Sequence, residues 1–138
     1  MQPYEHKAQY YETDGMGIIH HSNYIRWFEE ARVDMLEQLG VGYDQFEAMG
    51  CSSPVLRVTC DYKHMVRFSE TVMIDARIRA YSGVKMTIGY EIRDKASGEI
   101  RCTGESHHCF LGNNDRPVSL KKIWPKAHEI FASELQKP

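Results

Sequence analysis

The chain has no cysteine pair at metal-ligand spacing, no apolar run long enough to cross a bilayer and no excess of positive charge. Its four cysteines, at 51, 60, 102 and 109, form no CxxC pair. A structural zinc or a disulfide framework needs such spacing, so reduced and mostly buried thiols are expected instead. A membrane span needs ~18 consecutive apolar residues, and none occurs. The opening MQPYEHKAQYYETD lacks the apolar core of a signal peptide, so the expected location is the cytoplasm. Lys and Arg total 17 against 19 Asp and Glu, a net charge of −2. That balance argues against nucleic acid as a partner. There is no GxGxxG after a strand, no phosphate-cradling P-loop and no GxSxG, so dinucleotide chemistry and a serine nucleophile elbow are not expected.

What is present is an ordinary globular composition. Of 138 residues, 42% are hydrophobic and 26% charged, enough for one domain spanning residues 1–138 with a substantial core. The stretch from Tyr10 to Gly40 organises it. A strand over Tyr4 to Tyr11 leads into a loop bearing Asp14, Gly15, Gly17, His20 and His21. Ser22 and Asn23 are both good N-cap residues. Tyr24, Trp27, Phe28, Ala31, Met35 and Leu39 then recur at three- and four-residue steps, which predicts a long amphipathic helix. Arg26, Glu29, Glu30, Asp34 and Glu37 fall on its other side. Gly40 suits the C′ position. A short helix is expected around Tyr43 to Met49.

Period-two alternation then predicts four strands. They run over Leu56 to Lys63, Val72 to Ala80, Val84 to Arg93 and Ile100 to Phe110. Tyr81-Ser82-Gly83 and Asp94-Lys95-Ala96-Ser97-Gly98 read as turns. The four are expected to follow one another as an antiparallel meander. Ser119 opens a C-terminal helical segment that Pro125 divides or restarts. The fold class is therefore α+β, one long helix on an antiparallel sheet.

Asp14 is the sharpest chemical candidate. A carboxylate beside a helix start can attack a carbonyl or activate water. The free N–H groups of that helix start can receive a developing oxyanion. A simpler role, bonding its own turn, stays open for Asp14. His20 and His21 diverge too far for a metal pair, so they either line the site or sit in packing or solvent. His107 and His108 point to opposite faces of their strand, and His108 is expected to be a satisfied, half-buried histidine. Arg77, Arg79, Lys85, Arg93 and Arg101 are expected on a solvated sheet face, with contact to a nucleotide phosphate as the minor alternative.

The run Tyr11-x-Thr13-Asp14-x-x-Gly17-Ile18-Ile19-His20-His21-Ser22-Asn23-Tyr24, followed by Trp27-Phe28-Glu29-x-Ala31-Arg32 and Gly40, resembles the signature of hotdog-fold acyl-CoA thioesterases. These form the 4-hydroxybenzoyl-CoA thioesterase family, and the chain is especially similar to its YbgC-like branch. Tyr62 to Glu70 resembles the family's second motif. The resemblance implies a hotdog fold, in which a five-stranded antiparallel sheet wraps a central helix. It implies hydrolysis of an acyl-CoA to free acid and CoA, with no cofactor and no metal. It also implies a homodimer or homotetramer with active sites at subunit interfaces. Asp14 matches the catalytic aspartate, as nucleophile or general base. The His21 N–H matches the group that polarises the thioester carbonyl, and the imidazole of His21 can assist. Gly17, Asn23 and Tyr24 match substrate-binding positions. Ser22 stands where alanine is common, and His64-Met65 replaces a proline-containing pair. An acyl-carrier-protein thioesterase and a non-catalytic acyl-CoA-binding module are the rival readings.

Overall fold

A computed structural model describes residues 1–137 of the chain. Strand β1 spans Tyr4–Lys7 and is followed by a 3-10 turn at Tyr10–Glu12. Helix α1 spans Ser22–Gln38 and α2 spans Tyr43–Ala48. Strands β2 (Val55–Tyr62), β3 (Thr71–Tyr81), β4 (Lys85–Asp94) and β5 (Ile100–Cys109) follow, and α3 (Leu120–Ile123) and α4 (Pro125–Leu135) close the chain. The five strands form one sheet in the order β1-β3-β4-β5-β2, antiparallel at every step. This is the hotdog arrangement, with α1 lying against the inner face of the sheet.

The expected meander holds only for β3, β4 and β5. Strand β2 pairs with β5 at the far edge and does not touch β3 in the sheet. Alternation fixes which side chains share a face, but not which strand a strand will pair with. The first strand is also shorter than expected. It ends at Lys7, and Tyr10–Glu12 turns away as a 3-10 segment.

Helix α1 buries Tyr24, Trp27, Phe28, Ala31, Met35 and Leu36. The sheet answers with Ile74, Ile88, Tyr90, Ile92 and Cys102, all buried. Phe28 stacks on Tyr90 with centroids 4.4 Å apart and planes within 9°. Gly104 makes that seat possible: a Cβ there would collide with the Thr59 carbonyl and stand 2.6 Å from the Phe28 ring. At the other end of the core Phe46 meets Trp124 edge-on at 5.0 Å, and Phe131 stacks on Phe110.

The α1 termini differ from expectation on one side only. Gly40, at φ +80°, does stand at C′. The Gly40 N–H donates to Glu37 O and the Val41 N–H to Leu36 O, both at 3.0 Å, which is a complete Schellman closure. At the start, the N-cap is His21, with helical dihedrals and no side-chain cap. Ser22 and Asn23 lie inside the helix because their side chains are engaged elsewhere. Ser22 Oγ lies 2.9 Å from His20 Nδ1, and Asn23 Nδ2 donates to Glu12 O at 2.8 Å.

Arg101 is not on a solvated face. Ile92 pairs with Cys102 and Arg93 with Ile100, so Arg101 is the extra residue of a bulge, which re-aims its side chain. It is buried and forks onto Glu70 at 3.0 and 3.1 Å. His108 is fully buried rather than half-buried. Strand β2 carries the opposite surprise, because Val55, Leu56 and Tyr62 are about half exposed at 48, 55 and 49%.

Candidate active site

The Asp14 loop is built by backbone conformation. Gly15 and Gly17 adopt φ of +93° and +78° with open space where a Cβ would sit. The demand for glycine is therefore conformational, not steric. The Asp14 N–H donates to Ile18 O at 2.9 Å, and Phe68 N–H donates to Gly17 O at 2.8 Å. Isolated bridges from Thr13 to Ile19 and from Ile18 to Arg67 stitch the loop to the segment after β2. Asp14 Oδ1 accepts the Met16 N–H at 3.0 Å, the local turn bond that its simpler reading predicts. Oδ2 takes no hydrogen bond among the described residues.

Behind the loop, Glu12 anchors the helix start. It is 4% exposed. Its carboxylate accepts from Gln9 N–H at 2.8 Å and from Trp27 Nε1 at 2.7 Å, and it lies 2.9 Å from His6 Nε2. Its carbonyl accepts both the His20 N–H and the Asn23 amide. Burial alone would raise the Glu12 carboxyl. The bonds from His6, the Gln9 N–H and Trp27 together outweigh it and hold the group below the usual carboxylate range. Sequence reasoning assigned Glu12 no role, since nothing in its spacing marks it as an inward anchor.

Asp14 and His21 border one cleft of about 310 Å³ with Ile18, Ile19, His20, Tyr24, Tyr62, Lys63, His64 and Met65. Tyr24 is buried beside it, edge-on to Tyr62 at 5.2 Å. Its hydroxyl accepts the Val66 N–H at 3.0 Å. Burial raises the Tyr24 pKa, which keeps that hydroxyl neutral. Tyr62 donates to His21 O at 3.1 Å, and the His20 and His21 rings stack at 4.1 Å. The His21 N–H itself has no acceptor among the described residues. The cleft is thus bordered by a residue with an exposed carboxylate, Asp14, and by His21, whose backbone donor at the helix start has no acceptor among the described residues. Those are the elements needed to attack a carbonyl and to receive its charge.

Of the five residues expected at the site, Asp14, His21 and Tyr24 border the cleft. Gly17 shapes the loop, and Asn23 is buried as a tie to Glu12. Tyr62, Lys63, His64 and Met65 complete the opposite wall. Their only signal in the sequence is the second motif that begins at Tyr62. Behind that wall Cys60 Sγ lies 3.3 Å from Cys102 Sγ. The hydrogen bond from Cys102 lowers the Cys60 thiol to about 7 against the opposing effect of burial, and Cys102 is raised.

The thioesterase-like superfamily matches residues 9–131. The chain belongs to that superfamily. It is by that membership a thioester hydrolase. It is 34% identical over 128 residues to a putative acyl-CoA thioesterase YneP of Bacillus subtilis, covering 92% of each chain. It superposes on a DHNA-CoA thioesterase from Staphylococcus aureus with a TM-score of 0.90 and 33% identity, covering 96% of this chain and 89% of the other. Similarity to the YbgC-like branch is weaker. The acyl-CoA thioester hydrolase YbgC of Escherichia coli is 23% identical over 62% of this chain and 64% of its own length.

Proposed function

We propose that the chain is a cytoplasmic acyl-CoA thioesterase of a single domain, releasing a free acid and CoA. One observation carries the reading: Asp14 and the open helix start at His21 border the same cleft. A thioester carbonyl is electrophilic and its thiolate leaves readily, so a carboxylate and an oriented N–H suffice without a metal. Asp14 supplies the attack, directly or through water. The His21 N–H polarises the carbonyl, and the His21 imidazole assists. Tyr24 bounds the acyl side, while Gly17 and Asn23 hold the loop and the helix start in place.

The site works at the interface of a homodimer on this reading. The outer edge of β2 pairs with no strand among the described residues, and its Val55 and Leu56 are exposed. An open edge with apolar side chains favours pairing with another copy. Light scattering in solution is expected to give twice the chain mass or a multiple of it, and a strictly monomeric active enzyme contradicts this.

Asp14→Asn tests the chemistry. It keeps the size and the Met16 bond but removes the carboxylate. Thiol release from acyl-CoA is expected to fall at least about 100-fold, with thermal stability unchanged. Near-normal turnover by the folded variant would sink the assignment.

A further inference from the structure

The second half of α1 carries a buried charge whose nearest carboxylate among the described residues is solvent-exposed and stands off at 3.8 Å. Arg32 is 6% exposed. Its Nη1 lies 2.9 Å from His108 Nδ1, and its guanidinium sits 5.9 Å above the Tyr43 ring. Its nearest carboxylate, Glu29, is 68% exposed and 3.8 Å from Nη2, beyond hydrogen-bond length. Nε is buried with no hydrogen-bond partner among the described residues. The edge formed by Nε and Nη2 is therefore unengaged, and that edge matches a carboxylate in two parallel bonds. An uncompensated buried cation is costly, so an occupant that neutralises it is expected.

His108 cannot fill that role. It is an uncharged neighbour: burial first, and then the Arg32 charge, press its pKa down to about 4. Its Nε2 lies 2.7 Å from Ser106 Oγ, and the Nδ1 that faces Arg32 also lies 3.3 Å from Ser53 O. Ser106 in turn meets the Tyr90 hydroxyl at 2.6 Å.

Arg32, Ser106 and Tyr90 border a small pocket of about 90 Å³ whose other walls include Ile25, Phe28, Val58 and the largely exposed Glu29. That is about three waters' share of liquid volume, well under the about 150 Å³ that admits a benzene ring. It suits a carboxylate head and not an aromatic ring. The pocket is also in line with the cleft. Tyr24 meets Tyr62 at the cleft, whereas Phe28 and Arg32 meet Val58 and Val55 at the pocket. Helix α1 and strand β2 thus run in opposite directions along one seam. Eleven residues separate His21 from Arg32, about 16 Å along the helix axis.

We propose that this pocket binds a carboxylate at the far end of an extended acyl chain, so that the enzyme's preferred substrates are CoA thioesters of dicarboxylic acids. The chain lies along the α1–β2 seam with its thioester at His21 and its distal carboxylate on Arg32. The proposal rests on the acyl-CoA reading above for its thioester end only.

Two measurements test it. In the first, thiol release is compared for adipoyl- through hexadecanedioyl-CoA against the straight-chain acyl-CoA of equal length. One charge-assisted pair predicts about a 10- to 100-fold higher kcat/KM for the dicarboxylic member once the chain spans the seam. Arg32→Gln is expected to collapse that ratio towards one, and Arg32→Lys to restore part of it. If Arg32→Gln fails to fold, Ser106→Ala is expected to lower the same ratio several-fold. Equal kcat/KM for both series in the wild-type protein overturns the proposal. In the second, calorimetry compares free laurate with 1-dodecanol, which has the same chain without the carboxylate and needs no hydrolysis. Tighter binding of the acid that Arg32→Gln abolishes supports the site even if every acyl-CoA resists cleavage, in which case the thioesterase reading alone fails. Equal affinity for the acid and the alcohol overturns the site whatever the turnover.

Discussion

The two ends of α1 are finished in opposite ways. At the C-terminal end, Gly40 adopts φ +80° and two backbone bonds satisfy the last carbonyls. At the N-terminal end the His21 side chain makes no cap, the Ser22 N–H is taken by His20 Nδ1 at 3.2 Å, and the His21 N–H has no acceptor among the described residues. A helix normally has its orphan donors satisfied. Here the two residues best suited to capping are turned to other work, Asn23 onto the Glu12 carbonyl and Ser22 towards His20. On the proposed reading one end is built to stop the chain and the other to leave the His21 donor free, so that stability and chemistry are divided along a single element.

The sharpest way to break that comparison is to delete the open donor. His21 has φ −55°, within the range that proline fixes, and proline has no N–H. His21→Pro is expected to lower kcat by about 100- to 1000-fold, the usual cost of one oxyanion donor. His21→Ala keeps the N–H and is expected to lose far less, so the gap between the two separates the backbone donor from the imidazole. Equal losses in the two variants would transfer the role to the ring.

Next in size is a pH effect on the scaffold half, where Arg32 meets His108. The folded pKa of His108 is pressed down from 6.5 to about 4. Between those values the unfolded chain binds the proton and the folded chain does not. Stability is therefore full above about pH 6.5 and falls as the pH drops towards 4, by roughly 3 kcal/mol at most. Chemical denaturation at a series of pH values reads this directly, and His108→Gln is expected to flatten that part of the profile.

The smallest effect lies at the closed end. Gly40→Ala places a side chain at positive φ and is expected to cost about 1 kcal/mol of stability. Thermal melting measures that loss, and kcat should not change. A matching fall in kcat would show that the closed end also sets the site.

Much of this division was legible in the sequence. The three- and four-residue spacing from Tyr24 to Met35 identified the buried side of α1, and Gly40 marked its end. Asp14, His21 and Tyr24, which the resemblance grouped together, do border one cleft. What escaped was whatever depends on partners distant in the chain. The alternation of β2 cannot tell that it pairs with β5 rather than β3. Nothing near Arg101 announces a bulge opposite Ile92, or that Glu70 and Asp94 wait for it. Glu12 reads as one more polar loop residue until His6 and Trp27 are seen to converge on it. Arg32 likewise belongs to a familiar motif, but its burial beside His108 is set by a strand 76 positions away.

The missing side chain at Gly104 has a mechanical consequence. The Phe28 ring rests where a methyl group at that position would stand, so the height of the helix over the sheet is set at one bearing point. His21 lies seven residues back, about 10 Å along the same rigid rod. Raising the bearing would tip the rod and swing its tip, displacing the His21 N–H while every cleft residue kept its identity. On the proposed reading, alignment of the reacting atoms therefore depends on an atom that is absent from the middle of the sheet.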